Sequence, residues 1–199
     1  MDEKAAISAA QKGDTQAFNR LVLIYQGLAY NVAYRMLGDE DAAADATQDA
    51  FLSAYRAIAQ FRGGSFKAWL LRIVTNACYD QLRHQQRRPA TSLDDLIVDS
   101  DHSTLFEDER ESPEHYAIRR ELAQEIQKGL RTLPIEQRVT LILSDIQGLS
   151  YEEIAAVTGT SLGTVKSRLS RGRARLRDYL RETGELLPAR YRLHSESPK

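Results

Sequence analysis

The chain has 199 residues, 42% hydrophobic and 28% charged, and its 27 basic and 28 acidic side chains leave a formal charge of −1. One cysteine, Cys78, excludes an internal disulfide and a multi-cysteine metal site, and no apolar run approaches the ~20 residues of a membrane span. The opening Met1-Asp2-Glu3-Lys4 lacks the basic-then-apolar order of a signal peptide, so a reducing cytoplasm is the expected compartment, with no direct membrane insertion.

In chain order, Asp14 opens a helical pattern of Phe18, Leu21, Val22, Tyr25, Leu28, Val32 and Met36, and Gly38 is its stop. A second helix is predicted over about 40–59, with Ala43, Thr47, Phe51, Ala54, Tyr55 and Ile58 on its apolar side. Asp41, Asp45, Gln48 and Asp49 lie on another side, and no basic residue occurs between Asp39 and Arg56. An acidic face of this kind repels DNA and suits a basic protein surface. Gly63-Gly64-Ser65 makes a short loop, with Ser65 as N-cap of a third helix. There Phe66, Trp69, Leu70, Ile73 and Ala77 keep helical spacing, while Leu82 falls out of phase.

On that third helix Arg72, Asn76, Tyr79, Arg83 and Arg87 recur at intervals of 4, 3, 4 and 4. They form one stripe roughly 120° from the apolar face. It offers cations for phosphate, an amide for base edges and a ring for stacking. Trp69 fits the core better than a stacking role, given its spacing with Phe66 and Ile73.

Charge is segregated. Residues 51–88 carry seven basic and one acidic group, residues 89–112 one basic and eight acidic, and residues 162–199 ten basic and four acidic. The acidic block lacks a sustained apolar period, so a linker is expected over 89–114. It separates a first domain at 1–88 from a second at 115–183, with a tail at 184–199. In the second domain Ala117 to Arg131 is helical, and Pro134 starts a further segment through Ile146 that Gly148 ends. No segment alternates as a strand would. The expected class is all-α, as two small helical domains.

Ser150-Tyr151-Glu152-Glu153 has the form of a capping box. Gly159 follows Ala155 by four residues, and Val165 follows Gly159 by six, the spacing of a helix-turn-helix. The second helix repeats Val165, Leu169, Gly172, Leu176 and Leu180, and seven basic residues occupy its other faces. Such a helix suits the major groove, where phosphates supply affinity and base edges specificity. Its N-terminal Gly163, Thr164, Lys166, Ser167, Ser170 and Arg171 should lie deepest, with Arg173 and Arg175 nearer the phosphates.

Leu149 to Ala155, then Gly163 to Leu169 with Arg171, resembles the C-terminal region of bacterial RNA polymerase sigma factors, nearest the small extracytoplasmic-function (ECF) type of the sigma-70 family. Asp45 to Phe51 is similar to that family's polymerase-binding helix, and Phe61 to Phe66 with Trp69 to Ile73, Asn76 and Asp80 to Arg83 to its promoter-melting region. The resemblance implies sigma region 2 and sigma region 4 joined by a linker that threads the polymerase. It implies that Asp41, Asp45, Gln48 and Asp49 bind core RNA polymerase. Gly63, Gly64, Ser65 and Phe66 would join the Arg72–Arg87 stripe on the minus-ten promoter DNA. The helix from Leu162 would read minus-thirty-five, and an anti-sigma factor would be a controlling partner. No cofactor or metal is implied, and no nucleophile–base constellation points to an enzyme. The alternative is a stand-alone helix-turn-helix regulator that needs no polymerase. It leaves the Asp45/Asp49 face and the Arg72–Arg87 stripe without a purpose.

Overall fold

The structure, a computed structural model, describes residues 2–87 and 113–183. The expected tail lies outside the described residues, as does the expected linker except for residues 113 and 114, which begin a helix. Eight α-helices and no strand occur among the described residues: α1 (Glu3–Gln11), α2 (Thr15–Leu37), α3 (Glu40–Ala57), α4 (Phe66–Arg87), α5 (Pro113–Thr132), α6 (Ile135–Leu141), α7 (Tyr151–Thr158) and α8 (Leu162–Thr183). A 3-10 turn at Ile58–Gln60 extends α3, and a π turn at Ile142–Ile146 extends α6.

Aspartates open the first three helices. Asp2 accepts from the Lys4 amide, Asp14 from Ala17 and Asp39 from Ala42, each satisfying an amide that the first turn leaves unpaired. Gly38 closes α2 in the left-handed region, with φ +74°, and α3 begins two residues later. The helix α1 lacks an apolar period long enough to register in the sequence. It packs Ala6, Ile7 and Ala10 against α2 all the same.

The core face of α3 differs from the expected one. Ala43 and Ala54 are buried as expected, but Ala46 and Ala50 join them, while Thr47 and Phe51 are half-buried and Tyr55 is exposed. The physical reason is proximity. Ala29 and Ala33 of α2 are also fully buried, and small side chains on both helices allow a close antiparallel approach. Tyr55 instead packs edge-on to Phe18, with ring centroids 5.0 Å apart.

The second domain follows the expected helix-turn-helix. Ser150 accepts from the Glu153 amide and Glu153 reaches back to the Ser150 amide, so both halves of the capping box form. Gly159 makes the turn at φ +65°. Ile154, Val165 and Leu169 are buried beside Ile142 and Leu143, at about 1.5–3 kcal/mol of burial each. Within the α6 extension, Gln147 N–H bonds the Ile142 carbonyl, the longer i→i+5 step of a π turn.

The two domains also touch. Helix α7 packs along α4, and α2 meets α5 and α6.

Candidate functional site

Three surfaces carry the candidate residues. On α3, Asp41, Asp45, Gln48 and Asp49 are all exposed, on the side opposite the buried alanines. Leu52 stands among them, 47% exposed, seven residues after Asp45 and three after Asp49. Leu52 is absent from the expected set, although its helical spacing from both aspartates marks it. An exposed apolar side chain at the edge of an acidic face suits a protein contact.

The second surface begins at the Gly63-Gly64-Ser65 loop. Gly63 and Gly64 sit at φ +93° and +86°, where a side chain would be strained. Ser65 Oγ accepts from the Ala68 amide and caps α4 as expected. The loop is pinned at both ends. Gln11 donates to the carbonyls of Phe61 (2.7 Å) and Ile58 (3.3 Å), a support from α1 with no local sequence signal. Phe61, Phe66 and Trp69 form a ring cluster with centroids 5.4–5.6 Å apart, and Tyr25 of α2 packs at a tilt against Phe66, 5.3 Å away. Phe66 is therefore a buried anchor beneath the loop rather than a DNA-facing group. Trp69 is half-buried in the same cluster.

Past the loop, Arg72, Asn76 and Arg83 are exposed along α4. Arg83 pairs with Asp80 at 2.7 Å, an exposed ion pair that phosphate can displace at little cost. Tyr79 is half-buried, and burial is the main cause that pushes its hydroxyl pKa upward. Arg87 closes α4, and its side chain lies outside the described set. Cys78 is fully buried, and desolvation pushes its thiol up to about 12. It stays protonated at neutral pH and serves as packing.

The third surface is the start of α8. Ser161 Oγ caps the helix at the Thr164 amide, and Ser167 donates to the Thr164 carbonyl. Gly163, Lys166, Ser170 and Arg171 are exposed, with Thr164 and Ser167 half-buried between them. Arg171 folds back on Ser167, with Nε 3.2 Å from its carbonyl. Arg173 and Arg175 have internal partners. Arg173 Nε and Nη2 both donate to Asp145, at 2.9 and 2.6 Å, and Arg175 reaches Gln137 Oε1 at 3.4 Å. The fork geometry holds the Asp145 carboxyl below the usual carboxylate range. Asp145 belongs to the π turn, 28 residues before its partner, so no spacing in the sequence marks the pair.

Among the described residues no cluster of His, Cys, Asp or Glu could hold a metal, and no helix is long and apolar enough to cross a membrane.

Comparison with known proteins finds two matching families. Residues 21–88 match the family described as Sigma-70 region 2, and residues 123–176 match Sigma-70, region 4. The chain is 39% identical to the ECF RNA polymerase sigma factor SigE of Mycolicibacterium smegmatis over 82% of its own length, spanning 62% of that protein. It is 37% identical to the RNA polymerase sigma-H factor of Pseudomonas aeruginosa, covering 86% of this chain and 90% of that one. Two solved structures share the fold. One is CnrH bound to the cytosolic domain of CnrY, with TM-score 0.64, 30% identity and coverage of 89% and 96%. The other is the sigma factor RpoE bound to the anti-sigma factor NepR from Bartonella quintana, with TM-score 0.62, 27% identity and coverage of 83% and 98%.

Proposed function

The chain belongs to the sigma-70 family of RNA polymerase sigma factors, in its ECF class, and we propose that it works as an alternative sigma factor that binds core RNA polymerase and directs initiation at its own promoters. The observation that carries this is the coexistence of three surfaces of different character on one chain. An acidic α3 face suits a basic protein, and two cationic helices suit nucleic acid. A stand-alone regulator would use α8 and leave the other two idle.

The roles follow from chemistry. Asp41, Asp45, Gln48, Asp49 and Leu52 dock the chain on core polymerase. The pinned loop at 63–65 and the α4 stripe hold the melted minus-ten strand, with Asn76 reading a base edge and Arg72 and Arg83 meeting phosphates. The start of α8 enters the major groove at minus-thirty-five through Lys166, Ser167, Ser170 and Arg171. Tethering two weak DNA modules raises the effective concentration of each near its site. An anti-sigma protein is the expected negative partner, as NepR is bound to RpoE in the similar structure. The chain acts in the cytoplasm, where polymerase and promoter meet, and it is not an enzyme.

Run-off transcription tests the reading. Purified chain plus core polymerase should start from discrete promoters on genomic DNA, whereas tight promoter binding by the chain alone, with no initiation, would establish the regulator instead. Asn76→Ala should leave polymerase binding intact and reduce opening. Permanganate reactivity of the minus-ten thymines should fall, and unchanged reactivity removes Asn76 from the strand contact.

A further inference from the structure

Helix α1 precedes the residues that match region 2, and none of the three surfaces includes one of its side chains. Its two ends nevertheless support the Gly63-Gly64-Ser65 loop on both sides. At the last residue of α1, Gln11 Nε2 donates to the Phe61 carbonyl at 2.7 Å and to the Ile58 carbonyl at 3.3 Å. At the first, Glu3 Oε2 accepts from the Tyr25 hydroxyl at 2.8 Å, and the Tyr25 ring lies 5.3 Å from that of Phe66. Phe61 precedes the loop and Phe66 follows it.

The two sides of the loop need different support. After it, Ser65 Oγ caps α4 at the Ala68 amide, and the Ser65 carbonyl accepts from the Trp69 amide, so the helix itself fixes the backbone there. Before it, the chain has left its last helical turn. Phe61 is extended, with φ −67° and ψ 114°, and its amide closes the 3-10 turn on the Ile58 carbonyl at 3.1 Å. The Phe61 carbonyl lies past that turn, and Gln11 takes it.

From Arg62 to Ser65 every residue is exposed, and Gly63-Gly64 is the only pair of consecutive glycines in the chain. Such a stretch has wide backbone freedom and loses much of it on taking a base. Bonds that fix its entry beforehand reduce that loss. Gln11 is half-buried and uncharged, so it fixes a carbonyl without placing another cation beside the cationic stripe of α4. Burial first, and Glu3 next, push the Tyr25 hydroxyl up to about 12, so it remains a donor to Glu3 throughout the neutral range.

We propose that Gln11 is a positioning residue for base choice at minus-ten, and that α1 braces the loop from both sides so that the pocket for an unpaired base keeps one shape. Gln11 acts through the Phe61 carbonyl and touches no base. The reading of a base rests on the minus-ten role proposed above; the brace does not.

Holoenzyme assembled from core polymerase and the chain is used to select single strands from a random pool of roughly 20 nucleotides, and sequencing reads the enrichment of each base at each position. The parent should enrich a short motif. Gln11→Met keeps the length and loses the donor. It should flatten the preference about ten-fold at the one or two positions held by the loop and leave the other positions as they were. Gln11→Lys supplies a donor of similar reach and should restore the preference. Enrichment compares bases with one another at one position, so the added charge does not imitate that rescue. Tyr25→Phe removes only the bond to Glu3 and should flatten the same positions to a smaller extent. A merely structural role gives a different pattern, with loss at every position, a lower melting temperature by circular dichroism and weaker binding to core polymerase. That pattern in Gln11→Met, or selectivity equal to the parent's, overturns the brace. A parent holoenzyme that enriches no motif overturns the minus-ten reading itself, and the base-positioning role of Gln11 with it.

Discussion

Replacing Asp45 and Asp49 together by arginine is expected to abolish run-off initiation while leaving the chain folded. Both carboxylates are exposed on α3, away from the alanine side that packs on α2. Substitutions at such positions usually move stability by no more than about 0.5 kcal/mol. The change in binding is far larger. Two attractive charges become two repulsive ones against a basic surface, and close interfacial charge pairs couple by roughly 1.5–7 kcal/mol. Even the low end, counted for two sites, lowers core affinity by more than about a hundred-fold. Leu52, one turn beyond Asp49, is the apolar part of the proposed contact, and the double variant should fail even in low salt, where attraction elsewhere is strongest. Co-elution of the variant with core polymerase on gel filtration would remove α3 from the docking surface.

How much of this was legible in the sequence depended on the range of the signal. Local chemistry was readable: Ser65 caps α4, Ser150 and Glu153 form their box, Gly159 turns, and Val165 and Leu169 reach the core. Each rests on residues within one or two helical turns. The α3 face was read with part of its core missing because hydrophobic period favours large side chains, whereas the packing there depends on small ones at Ala46 and Ala50. Longer links were invisible. Gln11 supports a loop some fifty residues away, Asp145 claims Arg173 across 28, and Arg138 caps a helix 102 residues earlier. Phe66 was assigned to the DNA loop by its place in the motif, yet a phenyl ring flanked by Phe61, Trp69 and Tyr25 gains more from burial than from exposure. Segment charge was the most useful bulk quantity, since a total of −1 concealed two cationic helices.

Arginines 171 and 173 stand two residues apart on α8, and their alanine variants are expected to fail in different ways. Arg171 is exposed near the start of α8, the end proposed to enter the groove, and among the described residues it bonds Ser167 one turn back. Those bonds are exposed and easily exchanged for a base edge or phosphate. Arg171→Ala should therefore cost about 1–3 kcal/mol of minus-thirty-five affinity, with the melting temperature almost unchanged. Arg173 is held by both oxygens of Asp145, and its loss strips a half-exposed carboxylate of the bond that orients the π turn against α8. Arg173→Ala should lower thermal stability and leave the salt dependence of DNA binding nearly as it was, because no phosphate contact disappears. The pH dependence separates the two further. The Asp145 carboxyl titrates below its ordinary range when folded, so the pair stabilises the native state at neutral pH and that contribution is lost as pH falls through the depressed folded value. Arg173→Ala removes this acid-side component, and Arg171→Ala retains it. A salt slope that drops by about one in Arg173→Ala would show instead that Arg173 leaves Asp145 for phosphate when DNA binds.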